Sequence, residues 1–299
     1  MKIHEFTQKF PNENSCRMHF KVVREQEGIV CKKCSCTKHY WLQSKWQWQC
    51  ADCRFRTTPR SGTIMESAKL SFYKWYLCMA WMSSKKKGVS AMEMQRQLGH
   101  KRYRTIWVLM HKIRAGMGNR DDKYTLDGSI ELDEGYFEKP APKGVKKKRG
   151  RGSQSKSNVA VMAESTPLED IDTGEKSSQF RYAKMKVLTS HKSIEINKIC
   201  KENIVNTATI ITDKSTSYEG FSNMFDTHIS FKSDKTVTKT SLKWVHITIS
   251  NAKRNLLGVY HMITGPYLQN YLNEFCYRLN RRYFGENLFN RMVIATVGN

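Results

Sequence analysis

The chain has 299 residues and a formal charge of +24, with 51 lysines and arginines against 27 aspartates and glutamates. Such an excess of positive charge favours a polyanionic partner, and nucleic acid is the commonest polyanion for a basic protein. A membrane surface is the rival partner, but the sequence has no run of about 18 apolar residues, no signal peptide and no lipidation motif. We therefore expect no membrane association, and a location in the cytoplasm at the nucleoid.

Two CxxC units are the first distinctive feature in chain order, and they contain Cys31, Cys34, Cys50 and Cys53. Four thiolates at this spacing form the ligand set of a tetrahedral structural Zn²⁺ ion. The chain has nine cysteines, and their scatter fits a metal site in a reducing compartment better than a disulfide framework. Cys36 and His39 are alternative ligands, but the paired spacing favours the other four. We predict an amino-terminal helix and a zinc ribbon in residues 1–66, with the tryptophans between the pairs packing as its core.

Residues 67–122 are predicted to contain a helix-turn-helix. Ser90 and Glu93 have the spacing of a capping box at the start of a short helix, which Gly99 ends. A second helix follows, and it begins with three cations, Lys101, Arg102 and Arg104. The second helix of this motif enters the DNA major groove with its first turns, so we expect these side chains to contact double-stranded DNA. A helical hairpin without a ligand is the alternative.

Residues 123–299 are predicted to form an α/β (α+β) domain that follows a linker at residues 119–122. Strands are expected at residues 127–138, 158–163, 181–189 and 207–212, with a helix at 194–204 before the last of them. This order suits a mixed sheet of the ribonuclease H type with flanking helices. Residues 243–260 begin with residues that favour strands and continue with a helix-like pattern. Residues 267–283 have apolar residues at helical spacing, and such a helix would cover the sheet.

A basic segment at residues 139–156 separates the first two predicted strands. It is rich in glycine, proline and serine and has no acidic residue, so it cannot bury a core and is expected to be a mobile arm. A solvated loop is the alternative to a DNA contact. We expect contact with the DNA backbone through Lys146, Lys147, Lys148, Arg149 and Arg151.

Two carboxylates in this domain indicate metal chemistry. Asp213 follows a predicted core strand, at the end where ligand sites collect in α/β sheets, although it could also cap a turn. Asp133 lies on the first strand, which we expect to neighbour that strand. Paired carboxylates hold two Mg²⁺ ions about 3.5–4 Å apart for phosphoryl transfer. A third ligand should come from a helix, and His246 and Lys253, seven residues apart, could share one helix face.

Motifs along almost the whole chain resemble one family, the bacterial insertion-sequence transposases with an amino-terminal zinc ribbon and a DDE-type catalytic domain. These transposases are ISXO-like and related to Merlin elements. The resemblance rests on the four-cysteine ribbon, Ser61-Gly-Thr-Ile64, Glu131-Leu-Asp133-Glu134-Gly-Tyr136, Thr212-Asp213, Ile249-Ser-Asn-Ala-Lys-Arg254, Gly258-Val-Tyr-His261, Tyr271-Leu-Asn-Glu-Phe275 and Arg278-Leu-Asn-Arg281.

The resemblance implies a ribonuclease H-like core that nicks element ends with water and joins the 3′-hydroxyls to target DNA, using Mg²⁺ or Mn²⁺. Asp133 and Asp213 match the first two catalytic aspartates of the family. The third position is usually glutamate or asparagine, with a basic residue seven positions later, and here it is His246 with Lys253. Imidazole suits Mn²⁺ better than Mg²⁺. Alternative third ligands are Asn251 and, more distantly, Glu274, and His246 would then be an ordinary core or surface histidine. The resemblance implies that Lys253 contacts the phosphate near the scissile bond, and Arg254 beside it is expected to bind DNA.

The sequence therefore predicts a DNA transposase for the recombination of an insertion sequence, and two other functions stay open. A domesticated or inactive transposase would bind DNA sequence-specifically without cutting it. A junction-resolving or other ribonuclease H-like nuclease would cleave structured DNA without joining ends. Because transposition brings two ends together, we expect a homodimer or a larger synaptic complex. Imperfect inverted repeats in the DNA on both sides of the gene would support the first function.

Overall fold

The computed structural model of the chain describes residues 1–140, 144, 153–190, 193–218, 220–232 and 240–298. These residues form two compact units, Met1–Arg120 with Arg281–Asn299, and Asp121–Asn280. The first elements are α1 (Ile3–Lys9), α2 (Glu13–Gln26), β1 (His39–Leu42), β2 (Gln47–Cys50), β3 (Arg56–Thr57), α3 (Phe72–Ser84), α4 (Ala91–Gln97) and α5 (Tyr103–Asp122). They are followed by β4 (Ser129–Glu138), β5 (Lys156–Glu169), β6 (Lys176–Leu188), α6 (Ser193–Asn203), β7 (Thr209–Asp213), β8 (Thr227–Phe231), α7 (Lys243–Tyr260), α8 (Leu268–Asn280) and α9 (Leu288–Val297).

In the first unit, the helices close around a core of aromatic side chains. Asn12 begins α2, where its side chain accepts a hydrogen bond from the Ser15 amide at 3.0 Å. The Glu13 carboxylate then accepts the amides of Phe72 and Tyr73 at 2.9 and 2.7 Å, so the start of α2 also caps the start of α3. The last helix, α9, packs on α2 and α3 in the same unit. The sequence-based division at residues 66 and 122 stays a proposal.

The second unit is built on a five-stranded sheet with the order β6-β5-β4-β7-β8. The pairs β4–β5 and β5–β6 are antiparallel, and the pairs β4–β7 and β7–β8 are parallel. The sheet confirms the predicted mixed sheet of the ribonuclease H type. One face packs against α6 through side chains such as Ile130 and Leu132. The other face packs against α7 and α8 through side chains such as Val159 and Val161. Residues 131, 133, 135 and 137 of β4 therefore share the face that α7 covers.

Some predicted elements were wrong or incomplete. Residues 119–122, predicted as a linker, are the last residues of α5, and Asp121 is buried where it accepts hydrogen bonds from Tyr182 and Asn280. The start of α7 is helical although its residues are β-branched, because Val245, Ile249, Ala252 and Leu256 form one buried stripe that outweighs local propensity. Strand β8 was missed since only two of its five side chains, His228 and Phe231, are partly buried, and they do not alternate along the strand. Residues 139–140, 144 and 153–156 of the predicted basic arm are described, whereas most of it lies outside the described residues.

Candidate active site and metal centres

Asp133 and Asp213 lie side by side on one face of the sheet. Strands β4 and β7 are parallel neighbours, and their register pairs Glu131 with Ile211. Two residues further along each strand are Asp133 and Asp213, which puts both carboxylates on the face of α7 because side chains alternate along a strand. The charge of Asp213 acts on Asp133 directly, as one of the interactions that raise its pKa. The structure thus brings together the two aspartates that the sequence predicted.

Helix α7 runs along β4 in the same direction as the strand. In its first turn the Val245 amide contacts Glu131, His246 lies beside Asp133, and Ile249 packs over Gly135. A methyl group at Gly135 would lie 3.1 Å from the Phe137 ring and 3.5 Å from Ile249. The contact with Ile249 would be an ordinary van der Waals contact, so the glycine chiefly leaves room for the Phe137 ring beneath the helix.

His246 lies within reach of Asp133. Its Nδ1 atom is 3.7 Å from Asp133 Oδ2, and the side chains are 36 and 22% exposed. Burial raises the pKa of Asp133, and the nearby carboxylates of Asp213 and Glu134 raise it further, while His246 lowers it. Two carboxylates and an imidazole on one partly open face are donors of the kind that a divalent cation takes, and a cation would offset the repulsion among the carboxylates. Their ligand atoms do not all lie within 4.8 Å of one another, a spacing that only the four paired cysteines reach within the described residues. Asp133, Asp213 and His246 are the residues that would hold such an ion.

The other candidate residues of α7 lie on two different sides of the helix, one of them the side that carries His246. Lys253 is exposed, and its Nζ atom lies 5.8 Å from the Phe137 ring centroid, so it follows His246 along the same side of β4. Arg254 is exposed as well. Asn251 is also exposed, but it lies about 140° around the helix from His246 at about 100° per residue. The geometry therefore favours His246 over Asn251 as the third ligand.

Glu274, the more distant alternative, has other partners. It is buried on α8, where one carboxylate oxygen lies 3.4 Å from Arg278 and the other accepts a hydrogen bond from the Tyr260 hydroxyl at 3.4 Å. A buried carboxylate that pairs with an arginine on its own helix is satisfied by that helix. These contacts explain Glu274 without a metal ion.

Glu131 is a site residue that sequence reasoning missed. It is 4% exposed, and its Oε2 atom accepts a hydrogen bond from the Val245 amide at 2.8 Å. Burial raises its pKa to about 7, against the lowering effect of hydrogen bonds from the amides of Val245 and Trp244. A carboxylate at the first turn satisfies amides that have no partner within the helix. Its spacing of two residues from Asp133 was the signal for a shared face, but nothing in the sequence connects residue 131 with residue 245.

We expect Glu131→Ala to lower the stability of the unit by about 1–3 kcal/mol, because two buried amides lose their acceptor. His246 should also lose its position, so activity should fall with stability. Glu131→Gln keeps an acceptor oxygen and should restore most of the stability. Thermal unfolding followed by circular dichroism measures the effect, with Glu138→Ala as the control, an exposed glutamate on the same strand. An unchanged unfolding temperature for Glu131→Ala would contradict the role of this carboxylate.

The four cysteines of the two CxxC units lie together in the first unit. Their sulfur atoms all lie within 4.8 Å of one another, and Cys31–Cys53, Cys34–Cys50 and Cys34–Cys53 are separated by 3.5, 3.5 and 3.4 Å. Ligand sulfurs of tetrahedral Zn²⁺ are about 3.8 Å apart, given a Zn–S bond of about 2.3 Å. The group could therefore hold a zinc ion.

The surroundings of Cys50 favour a thiolate, whereas the neighbouring cysteine side chains raise the pKa of Cys34 to about 12. The amides of Cys53 and Asp52 donate to Cys50, and they lower its pKa to about 6. Cys36 lies outside the group, where its sulfur accepts the Lys38 amide at 3.3 Å, and His39 Nδ1 lies 3.1 Å from the Thr37 carbonyl. Trp48 is 2% exposed and packs 4.9 Å from Trp41, so it forms the small core as predicted, whereas Trp41 and Trp46 are only partly buried.

Helices α4 and α5 match the predicted helix-turn-helix in sequence position. Ser90 caps α4 by accepting the Glu93 amide at 3.1 Å, and Gly99 adopts a φ of +54° after the helix ends. Lys101, Arg102 and Arg104 are exposed at the start of α5. Their side chains are thus accessible to a polyanion. The other predicted DNA contacts, Lys146, Lys147, Lys148, Arg149 and Arg151, lie outside the described residues.

Comparison with known proteins adds an independent observation. The family model of the ISXO2-like transposase domain matches residues 125–280, which is just over half of the chain. No curated protein matches the chain. Among solved structures, the crystal structure of a pre-cleavage Mos1 transpososome is similar at 10% sequence identity, covering 74% of this chain and 78% of that one with a TM-score of 0.27. Within the described residues, no helix is both long enough and apolar enough to span a membrane.

Proposed function

The chain belongs to the ISXO2-like transposase family, and we propose that it binds the ends of a mobile DNA element, cleaves there, and joins the 3′-hydroxyl ends to target DNA. One observation carries the proposal: Asp133 and Asp213 lie on the α7 face of two neighbouring strands, and His246 of α7 lies 3.7 Å from Asp133. Phosphoryl transfer between nucleic acid strands needs little covalent chemistry from the protein and depends on charge and positioning. A site of carboxylates within a very basic chain suits that need.

The residues of this site have separate roles in the proposal. Asp133, Asp213 and His246 would hold Mg²⁺ or Mn²⁺. When bound, such ions supply activation of the attacking oxygen and stabilisation of the leaving oxygen. Glu131 holds the first turn of α7 and thereby positions His246. Lys253, further along the same side of the helix, would contact the phosphate next to the scissile bond, and the exposed Arg254 would contact the backbone.

The first unit would recognise the element ends. Lys101, Arg102 and Arg104 are placed at the start of α5, where a recognition helix reads the major groove of double-stranded DNA. The cysteine group would hold structural Zn²⁺ and thereby fix the ribbon. The basic residues 146–149 and 151 are proposed to contact the DNA backbone. Two ends must be joined in one reaction, so a homodimer or larger synaptic complex is part of the proposal.

Strand transfer with labelled element ends tests this function. The duplexes would carry the terminal sequences that flank the gene, and the product would be a branched molecule with the labelled 3′ end joined to target DNA in Mg²⁺ or Mn²⁺. Sequence-specific binding without cleavage in any metal would instead support a domesticated or inactive transposase. Cleavage of branched DNA without joining would support a junction nuclease. Either result would overturn the proposal.

The role of His246 can be separated from that of Asn251. If His246 is the third ligand, His246→Ala should reduce strand transfer by about 100-fold, because the loss of a metal ligand weakens both binding and orientation of the ion. His246→Glu should retain activity and shift the preference towards Mg²⁺, since carboxylate oxygen suits Mg²⁺ better than imidazole does. Rates measured in parallel with Mg²⁺ and with Mn²⁺ give this comparison.

Asn251→Ala is the matched variant for this test, because Asn251 is exposed on the same helix and on its other flank. We expect it to keep the activity of the unmodified chain in both metals. The reverse pattern, an inactive Asn251→Ala and a fully active His246→Ala, would assign the third ligand to Asn251.

A further inference from the structure

The hairpin of β5 and β6 extends beyond the sheet as a two-stranded arm. Strand β4 pairs with β5 from Lys156 to Ser165, where a register irregularity occurs. Beyond it, Thr166–Glu169 pair with Lys176–Gln179 across four more positions, and within the described residues no third strand pairs with them. Four residues of strand correspond to about 13 Å. Every residue from 167 to 177 is exposed.

The arm is an ordered structure with a defined turn. The carboxylate of Asp170 accepts the amides of Asp172 and Thr173 at 3.0 and 2.8 Å, and the Gly174 amide donates to the Asp170 carbonyl at 2.8 Å. At its base, the Trp244 indole donates to the Ser178 hydroxyl at 2.8 Å, which joins the arm to α7. A hairpin held at both ends loses less conformational freedom on binding than a free loop does.

The tip of this arm displays apolar side chains. Ile171 is 99% exposed in the turn itself, a position where polar residues are usual, and Leu168 is 46% exposed three residues before it. A two-stranded ribbon has no core of its own in which to bury them. An apolar side chain at the end of a projecting arm is well placed to enter a pocket on a partner. Side chains that become buried at the centre of an interface contribute most of the binding energy.

The charge of the arm is opposite to that of the chain. Four acidic residues cluster at the tip, Glu169, Asp170, Asp172 and Glu175, and no lysine or arginine occurs from residue 157 to residue 175. The chain as a whole carries +24. DNA would repel such a tip, whereas a strongly basic protein surface would attract it.

We propose that this acidic arm, residues 166–179, docks on the basic surface of a second copy of the chain. The proposal deepens the proposed function and rests on its requirement that two copies act together. Two copies that each carry +24 repel one another, and an arm of opposite charge offsets that repulsion locally. Ile171 is the anchor of the contact, and the carboxylates around it select a basic partner.

The test is the self-association of the full chain, measured by analytical ultracentrifugation with and without a short duplex of the element end. Ile171→Asp should weaken self-association by about tenfold or more, because the anchor of the contact becomes charged. Asp172→Lys should weaken it as well. Ile194→Asp and Glu202→Lys are the matched controls, since both residues are exposed on α6 and receive the same substitutions. Circular dichroism should show that all four variants fold alike.

A chain that stays monomeric in both conditions would overturn the inference. So would variants of the arm that associate as the unmodified chain does, or that gain DNA affinity with no change in association. Self-association needs no cleavage, so its outcome is independent of the strand-transfer assay. If the chain has no strand-transfer activity, it can still self-associate through the arm. If it is active but the arm variants associate normally, only the inference about the arm fails.

Discussion

Strand transfer should be lost when Asp213 is replaced by asparagine, with a decrease on the order of 10³-fold or more. The substitution preserves the size of the side chain and removes its charge, so the sheet around it should stay intact. Asp213 stands at the carboxyl end of β7, beside Asp133 on β4, where the two carboxylates would share the divalent ions. Without one of them, the donor set keeps a single carboxylate and an imidazole, which would hold a hard cation poorly.

Asp226→Asn is the matched control for this variant. Asp226 is exposed and immediately precedes β8, the strand that pairs in parallel with β7, so it lies at the opposite end of the strands from Asp213. The control should keep the activity of the unmodified chain, and both variants should bind element ends with unchanged affinity in a gel-shift assay. If Asp213→Asn supports strand transfer at the rate of the control, the metal-site proposal is wrong.

The position of the carboxylates could be predicted from sequence because the signals are local. A β-branched run precedes Asp213, and alternation of apolar and acidic residues marks the strand that carries Asp133. The order of strands and helix then gives the mixed sheet that makes the two strands neighbours. The predicted seven-residue spacing of His246 and Lys253 also fits, since both lie on one continuous helix.

The contacts that align this helix could not be predicted, because they join residues far apart in sequence. The hydrogen bond from the Val245 amide to Glu131 spans more than a hundred residues. The helical state of residues 243–248 has a similar origin, since burial of Val245 and Ile249 against the sheet outweighs the preference of their β-branched side chains. Strand β8 forms because β7 offers a free edge, which its own short sequence does not reveal.

The packing of α9 against the other helices of the first unit could not be predicted either, because these contacts also join residues far apart in sequence. The apolar stripe of α9 predicts a helix that must bury one face, but the stripe does not say against which partner. Phe289 lies among Phe6, Phe10 and Tyr76, with ring centroids about 6 Å apart. Such a cluster assembles from three distant parts of the chain, so its composition is a property of the fold.

Loss of the zinc site should unfold the ribbon, and the variant Cys50→Ser tests this expectation. The ribbon has three strands of two to four residues and a core centred on Trp48, too small a core to fold by burial alone. Structural Zn²⁺ contributes about 10–16 kcal/mol to the folding of such modules. Cys50→Ser replaces a sulfur that two backbone amides favour as thiolate, so we expect zinc content to fall from about one ion per chain to near zero. The ribbon should then unfold, with a red shift of its tryptophan fluorescence and rapid proteolysis between residues 28 and 60.

Cys36→Ser provides the control within the same loop. Cys36 is near the four ligands in sequence, but its sulfur lies outside the group whose atoms are within 4.8 Å of one another. The Cys36→Ser variant should keep its zinc and its resistance to protease, because the serine hydroxyl can still accept a hydrogen bond from the Lys38 amide. Zinc measured by mass spectrometry decides between the two ligand sets. If Cys36→Ser loses the ion and Cys50→Ser keeps it, the two CxxC units do not form the site. If both variants keep it, zinc binds elsewhere, and the ribbon must be stabilised by its contacts with α2, such as the hydrogen bond from Trp48 to Glu25 at 3.0 Å.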